Sequence, residues 1–302
     1  MNILIADPTD SEAISYLKNH NIEVTYQPEI SADNLFSQIT NYDALMVRSR
    51  TKVTKDVISQ AKKLKVVARI GSGCDNIDIK ACQEKNMTVV NAPDVNSESV
   101  VELTTGLIIT YLRDLSRVIT SMKEGKWLKN ELWGEEISGK TVGILGYGHV
   151  GKRVAKIMET FGANILIHSR NYQTATLSEI FSKSDIVTVH LSLNSETEGC
   201  ITQSLLSLMK PTALFVNLAR AQLVNEDAFY GILKDKKIAG AILDVFWQEP
   251  LPPDSRWRTL PNVILTPHIG AATFEALKRA SLTVAEDIVN VLKGEKPQNP
   301  VI

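Results

Sequence analysis

Thr141-Val-Gly-Ile-Leu-Gly146-Tyr-Gly148-His-Val-Gly151-Lys-Arg153 is the stretch on which the fold is decided. Residues 141–145 form a short apolar run of the kind a buried strand needs, and residues 150–161 carry a helical period. Between them lie three glycines at the G-x-G-x-x-G spacing. Gly146 permits a tight turn, Gly148 lets backbone approach a pyrophosphate, and Gly151 lets helix and strand pack closely. The N–H groups that open a helix have no intrahelical partner, so those at His149 and Val150 are candidate phosphate donors. The glycine spacing alone is a weak signal, and the strand before it and the helix after it supply the context. A nucleoside-triphosphate loop competes, because Gly146 to Lys152 also spells G-x-x-x-x-G-K. Arg153 stands where that motif needs Ser or Thr for magnesium, which argues against it.

Outward from this turn, short apolar runs alternate with longer helical stretches. Strands are predicted at 3–6, 23–26, 44–47, 66–70 and 88–90, then at 141–145, 165–167, 186–191, 213–217, 241–245 and 263–265. Such alternation implies βαβ units, and strands that read as near-continuous apolar runs imply sheets covered on both faces. The expected class is α/β, with two doubly wound parallel-sheet domains separated by a cleft. One helix is predicted from Ser97, a candidate cap, to about Glu124, with Gly106 its only Gly or Pro. Another is predicted over 274–292, stopped by Gly294. The first leads into the second domain, and the last carries the chain back. The expected division is 1–96 with 270–302, and 97–269.

Length and composition agree with this. The chain has 302 residues, enough for about two domains. Lys plus Arg is 33 against 34 Asp plus Glu, a formal charge of −1, so no basic footprint for nucleic acid or an anionic membrane is expected. Cys74, Cys82 and Cys200 are odd in number and none forms a C-x-x-C pair, which suits a reducing compartment better than a disulfide framework or a zinc site; no metal is expected. The N-terminus reads as a strand rather than a signal peptide, and no apolar run approaches the ~18 residues of a membrane span. A cytoplasmic protein is expected.

The ribose-binding position of a dinucleotide site lies at the end of the next strand, where an NAD site usually places Asp or Glu. Here the sequence is His168-Ser169-Arg170. A carboxylate would repel a 2′-phosphate, whereas a hydroxyl and a guanidinium would hold one, so NADP(H) is favoured within an NAD(P) site. The alternative is that Arg170 points to solvent and either cofactor is accepted. Polar residues recur at the carboxyl ends of the other strands: Asp7, Arg48, Gly71, His190, Arg220, Asp244 and His268. Ligands of open α/β sheets sit at that edge. Arg220, Glu249 and His268 each follow a strand, and His is the residue best suited to move a proton near neutral pH. Each also has a plainer reading, as a structural histidine or an ordinary solvated charge.

At these residues the chain resembles the D-isomer-specific 2-hydroxyacid dehydrogenase family, and within it the phosphoglycerate dehydrogenase branch. The similarity runs over nearly the whole chain. It is carried by Val47-Arg-Ser-Arg-Thr-Lys-Val53, Ala68-Arg-Ile-Gly-Ser-Gly-Cys-Asp-Asn-Ile-Asp78, Glu102-Leu-Thr-Thr-Gly106, Gly139 to Gly148, Asn217-Leu-Ala-Arg220, Ala239 to Phe246 and Thr266-Pro-His-Ile-Gly270. The resemblance implies that Arg220 binds the substrate carboxylate, that His268 is the acid/base, and that Glu249 pairs with it. It implies that Asp244 helps position the nicotinamide, with His190, Ala219 and Gly270 completing the cofactor site. The backbone at Ser72 and Gly73 is implied to hold the substrate carboxylate. It also implies that residues 1–96 and 270–302 form a flavodoxin-like substrate domain, that 97–269 form the Rossmann-type nucleotide domain, and that the protein is a homodimer through the latter.

Arg48, Arg50, Lys52 and Arg69 offer a local basic cluster for a phosphate, or else Arg48 and Arg69 tie strands to neighbouring carboxylates. An NADP(H) preference resembles glyoxylate/hydroxypyruvate reductases instead. Formate oxidation is disfavoured, since that related activity resembles a site with Gln at the position of Glu249. The chain stops at Pro297-Gln-Asn-Pro-Val-Ile302, so no C-terminal regulatory domain is expected. A reading of another class, a dinucleotide-sensing co-repressor without catalysis, rests on the shared fold alone.

Overall fold

The computed structural model describes Met1–Ile302 and contains eleven strands. They are β1 (Asn2–Ile5), β2 (Glu23–Tyr26), β3 (Ala44–Val47), β4 (Val66–Arg69), β5 (Thr88–Asn91) and β6 (Thr141–Leu145). The rest are β7 (Asn164–His168), β8 (Ile186–Val189), β9 (Leu214–Asn217), β10 (Gly240–Leu243) and β11 (Val263–Leu265). The chain divides into two compact units, residues 1–96 with 271–302, and residues 97–270. Gly270, expected with the first, lies in the second.

In the first unit the strand order is β2-β1-β3-β4-β5, all parallel. Alternate residues of β1 enter opposite cores: Ile3 and Ile5 pack with one cluster, Leu4 with the other. This is the period-two consequence of a pleated strand covered on both faces. The helix Phe274–Lys293 supplies Ala280, Val284, Ala285, Ile288 and Val289 to the Ile3/Ile5 side. Thr273 caps its start and Gly294, at φ +83°, ends it. Beyond it, the buried Asp287 carboxylate accepts from the backbone N–H groups of Gln298 and Asn299. The tail then runs antiparallel beside β5, with Val301 N–H donating to Val89 O at 2.7 Å.

In the second unit the order is β11-β10-β9-β8-β6-β7, again all parallel. The long helix predicted from Ser97 is in fact two, Ser97–Leu112 and Leu115–Lys123. The break falls at Asp114, which sits in the left-handed region at φ +46°. Aspartate tolerates that conformation better than most residues, so the chain turns without the Gly or Pro that would have announced it. Ser97 is the first helical residue rather than the one before it.

Each sheet reverses its strand order once, between β1 and β3 in the first and between β6 and β8 in the second. The loops at the carboxyl ends of those strands diverge there and leave a crevice, which is where open α/β sheets bind ligands. No helix is long and apolar enough to cross a membrane.

Candidate active site

The glycine turn follows β6 at the reversal point of the second sheet. Gly146 has φ +93°, and a Cβ there would lie 2.6 Å from His190 O, so only glycine fits where this turn passes β8. A Cβ on Gly151 would come 2.0 Å from Gly146 O, so the helix lies directly on the turn. At Gly148 a Cβ would meet nothing within 4 Å. Gly148 is also the N-cap of the helix His149–Thr160, and no side chain caps it. An uncapped helix start beside open space suits an anionic group, so the residues present fit a pyrophosphate. Arg153, one turn into the helix, pairs with Glu98 rather than facing the turn.

At the end of β7 the Ser169 hydroxyl closes a turn on Tyr172, donating to its carbonyl at 2.8 Å and accepting from its N–H at 3.1 Å. Its one proton is therefore engaged locally. The Arg170 guanidinium donates to the carboxylate of Glu196, a residue the sequence reading did not single out. Tyr172 stacks on Tyr147 of the glycine turn, with ring centroids 5.0 Å apart. After β8, the His190 ring meets the Thr188 hydroxyl at 3.1 Å, and burial pushes its pKa down to about 4, so it is neutral near pH 7.

The ends of β9, β10 and β11 build the polar cluster. Asn217, buried at the end of β9, shapes the turn that carries Arg220: its side chain accepts from Ala219 N–H at 3.0 Å and donates to Arg220 O at 2.9 Å. Arg220 in turn donates to Ala219 O. Asp244, at the end of β10, is fully buried. Its Oδ1 accepts from the Thr266 hydroxyl at 2.6 Å and Ile269 N–H at 2.9 Å, and its Oδ2 accepts from Gly270 N–H at 2.8 Å. All three donors lie on the loop that carries His268, which is held at φ +54°. Whatever else Asp244 contacts, it anchors this strained loop, a role the sequence reading did not assign.

Glu249 folds back so that Oε1 accepts from Phe246 N–H at 2.9 Å, and Oε2 meets His268 Nδ1 at 2.7 Å. Burial alone would raise the Glu249 pKa. The hydrogen bonds from His268 and Phe246, with the charges of His268 and Arg220, outweigh it and hold the carboxyl below the ordinary range. One carboxylate therefore feels both His268 and Arg220. A carboxylate only accepts, so Nδ1 carries a proton toward Glu249 and Nε2 is the ring nitrogen left to face a substrate. The ring is 42% exposed, so Nε2 can meet a substrate.

The remaining candidates lie in the first unit. Arg48 donates through its backbone N–H to Asp7 Oδ2 at 2.6 Å and through its guanidinium to Ala271 O at 3.3 Å. Its partner in the sequence pattern, Arg50, is structural. Arg50 Nε donates to the buried Asp7, and its other nitrogens donate to the carbonyls of Ala6, Pro28 and Ile30. Arg69 donates to Ile70 O, and its guanidinium lies over Gly71, where a Cβ would be 1.7 Å from Nη1. Ser72 is held by its hydroxyl on Ala92 O and by Asn91, which donates to its carbonyl at 2.5 Å; Gly73 follows in the same loop. Asn76 donates to both Arg48 O and Thr51 O, bracing this loop against the one after β3. Burial raises the thiol pKa of Cys74, which disfavours the reactive thiolate.

Residues 105–270 match the model described as the D-isomer specific 2-hydroxyacid dehydrogenase, NAD binding domain, more than half of the chain. The chain is 42% identical to the D-3-phosphoglycerate dehydrogenase of Methanocaldococcus jannaschii; that match takes in 100% of this chain but only 59% of the relative. It is 38% identical to the hydroxypyruvate reductase of Thermotoga maritima, over 95% of this chain and 97% of that one. Among solved structures, the NAD⁺-bound 3-phosphoglycerate dehydrogenase of Entamoeba histolytica superposes with a TM-score of 0.84 at 28% identity, covering 100% of this chain and 98% of the other.

Proposed function

The chain belongs to the D-isomer specific 2-hydroxyacid dehydrogenase family, and on that premise we propose that it interconverts a D-2-hydroxy acid and its 2-oxo acid with a nicotinamide dinucleotide. The observation that carries this reading is the His268 Nδ1–Glu249 Oε2 hydrogen bond, with Arg220 acting on the same carboxylate. In the oxidative direction, Nε2 of His268 takes the proton from the substrate hydroxyl. In the reductive direction, Nε2–H gives it back to the carbonyl oxygen. Glu249 orients the ring and offsets the charge of the imidazolium. The Arg220 guanidinium holds the substrate carboxylate and polarises the neighbouring oxygen, for which its planar fork of donors is suited. When bound, the nicotinamide accepts or supplies the hydride.

The Gly146–Gly151 turn would take the pyrophosphate, with N–H groups of His149 and Val150 as donors. His190, Ala219, Asp244 and Gly270 are proposed to face the rest of the dinucleotide. NADP(H) is proposed as the preferred form, since Ser169 and Arg170 stand where an acid would read a 2′-hydroxyl. Arg48, Arg69, Ser72 and Gly73 of the first unit are proposed to contribute to substrate binding, the two arginines to a phosphate. That supports a phosphoglycerate-type substrate. A second reading, reduction of hydroxypyruvate or glyoxylate, is favoured by the near end-to-end match with the Thermotoga enzyme.

Following absorbance of the reduced cofactors with 3-phosphohydroxypyruvate, hydroxypyruvate and glyoxylate tests the proposal. His268→Ala should lower kcat on the order of 10²–10⁴-fold, as for a lost acid/base. A near-normal rate would remove His268 from that role. No turnover of any 2-oxo acid by the unmutated protein would favour the non-catalytic, dinucleotide-sensing alternative.

A cytoplasmic homodimer is proposed as well. Ile119, Met122, Trp127 and Trp133 lie close in sequence within the second unit, and Trp127 and Trp133 are 76% and 88% exposed, an arrangement that suits a second copy of the chain. Light scattering should return twice the chain mass, and Trp133→Arg should return the monomer.

A further inference from the structure

The end of β7 lacks the acid that usually reads the adenosine ribose, yet a carboxylate stands there from elsewhere. Arg170 Nη2 donates to Glu196 Oε2, and Glu196 comes from the loop after β8. β7 and β8 are the two neighbours of β6, so their loops flank the glycine turn on either side. The Glu196 loop is firmly built. Asn194 Oδ1 accepts from Glu196 N–H at 2.9 Å and Thr197 N–H at 3.1 Å, and the Thr197 hydroxyl donates to Ser192 O at 2.7 Å. The side chains of Arg170 and Glu196 are 75% and 70% exposed, so their pairing adds little to stability. Ser169 offers no spare proton, because its hydroxyl donates to Tyr172 O. The guanidinium of Arg170 and the carboxylate of Glu196 pair at this edge, and the Lys152 ammonium stands nearby over the Tyr147 ring, 5.8 Å from its centroid.

We infer that Glu196 is a specificity-determining residue for the dinucleotide, its carboxylate offsetting Arg170 so that the ribose 2′ position is read by an ion pair rather than by a lone cation. The inference rests on the reading above that the Gly146–Gly151 turn holds a nicotinamide dinucleotide. A 2′-phosphate is drawn by Arg170 and repelled by Glu196; a 2′-hydroxyl can donate to Glu196. The preference for NADP(H) is thereby held down. Removing the carboxylate releases it, and removing the guanidinium reverses it. Two charges against one at roughly 6 Å in the dielectric of water correspond to about a tenfold change in affinity.

The test is isothermal titration of NADPH and NADH into the full chain, as the unmutated protein and as Glu196→Gln, Glu196→Asp and Arg170→Gln. The ratio of Kd for NADH to Kd for NADPH should rise about tenfold in Glu196→Gln and fall about tenfold in Arg170→Gln. It should stay near the unmutated value in Glu196→Asp, which keeps the charge. Both shifts should shrink in high salt, because exposed charges are screened. Unfolding temperatures should not move, and Glu196→Ala is a second variant should Glu196→Gln fail to fold. An unchanged ratio in Glu196→Gln, or a loss of affinity for both dinucleotides alike, overturns the inference while leaving the dinucleotide site standing. Failure of the unmutated protein to bind either dinucleotide overturns both.

Discussion

Asp244→Asn tests whether one buried carboxylate holds the loop that carries His268 in place. Oδ1 receives two donors and Oδ2 one, so the amide oxygen should settle at the Oδ1 position, facing Thr266 and Ile269. The new NH₂ then faces Gly270 N–H, donor against donor. A buried N–H left unpaired costs about 1–3 kcal/mol, and losing the charge on the remaining bonds costs about 1 kcal/mol more. The sum, about 2–4 kcal/mol, corresponds to a fall of roughly 4–16 °C in unfolding temperature for a unit of this size. All four tryptophans (Trp127, Trp133, Trp247 and Trp257) lie in the second unit, so their fluorescence reads its melting separately from the first. His268 is held at φ +54° by this anchor, so slackening it should also lower kcat, by on the order of 10²-fold for a displacement near 1 Å. A variant that melts within a degree or two of the unmutated protein and turns over normally would refute the anchoring role.

Two glycine substitutions should separate packing from cofactor approach. Gly151→Ala should lower both the unfolding temperature and dinucleotide affinity, because its Cβ would fall 2.0 Å from Gly146 O. Gly148→Ala meets nothing within 4 Å and should melt normally while losing dinucleotide affinity in calorimetry; equal affinity would mean that no phosphate lies there. His190 predicts a pH effect. Its folded pKa of about 4 lies below its ordinary 6.5, so between those values the unfolded chain binds a proton that the folded protein does not. Stability should therefore rise as pH goes from about 4 to 6.5, and His190→Asn should flatten that slope in melts taken across the window. Arg50→Lys keeps the charge but loses the fork that reaches three carbonyls, so differential scanning calorimetry should show the first unit melting lower; an unchanged transition would mean that the Asp7 contact alone suffices.

Why these roles were unevenly legible follows from what each residue type reveals by position. Most of the strands are near-continuous apolar runs, buried in the inner strands and partly exposed in β2, β7 and β11, so each of the eleven lies near its predicted place, and β2, β3, β6 and β11 match to the residue. The break at Asp114 left no mark, because an aspartate in the left-handed region looks in sequence like any exposed acid in a helix. Arg220, Glu249 and His268 stand out in the sequence because charged residues after apolar runs fall at the sheet edge where ligands bind, and the structure brings Glu249 and His268 into one hydrogen bond. That logic finds the edge but cannot divide labour along it. Arg48 and Arg50 read alike, yet one guanidinium is tied down by four hydrogen bonds and the other by a single long one. Asp244 reads in sequence as a cofactor contact, and its geometry adds a second role, as the anchor of the His268 loop. Glu196 had no signal at all: it sits in a polar loop, and only the pairing of β7 and β8 on either side of β6 brings it to Arg170. A residue whose role depends on a strand neighbour can be read only after the strand order is known. A cofactor edge shared by Arg170 and Glu196 is a property of sheet topology as much as of the glycine motif, since only the order β8-β6-β7 brings the two loops together.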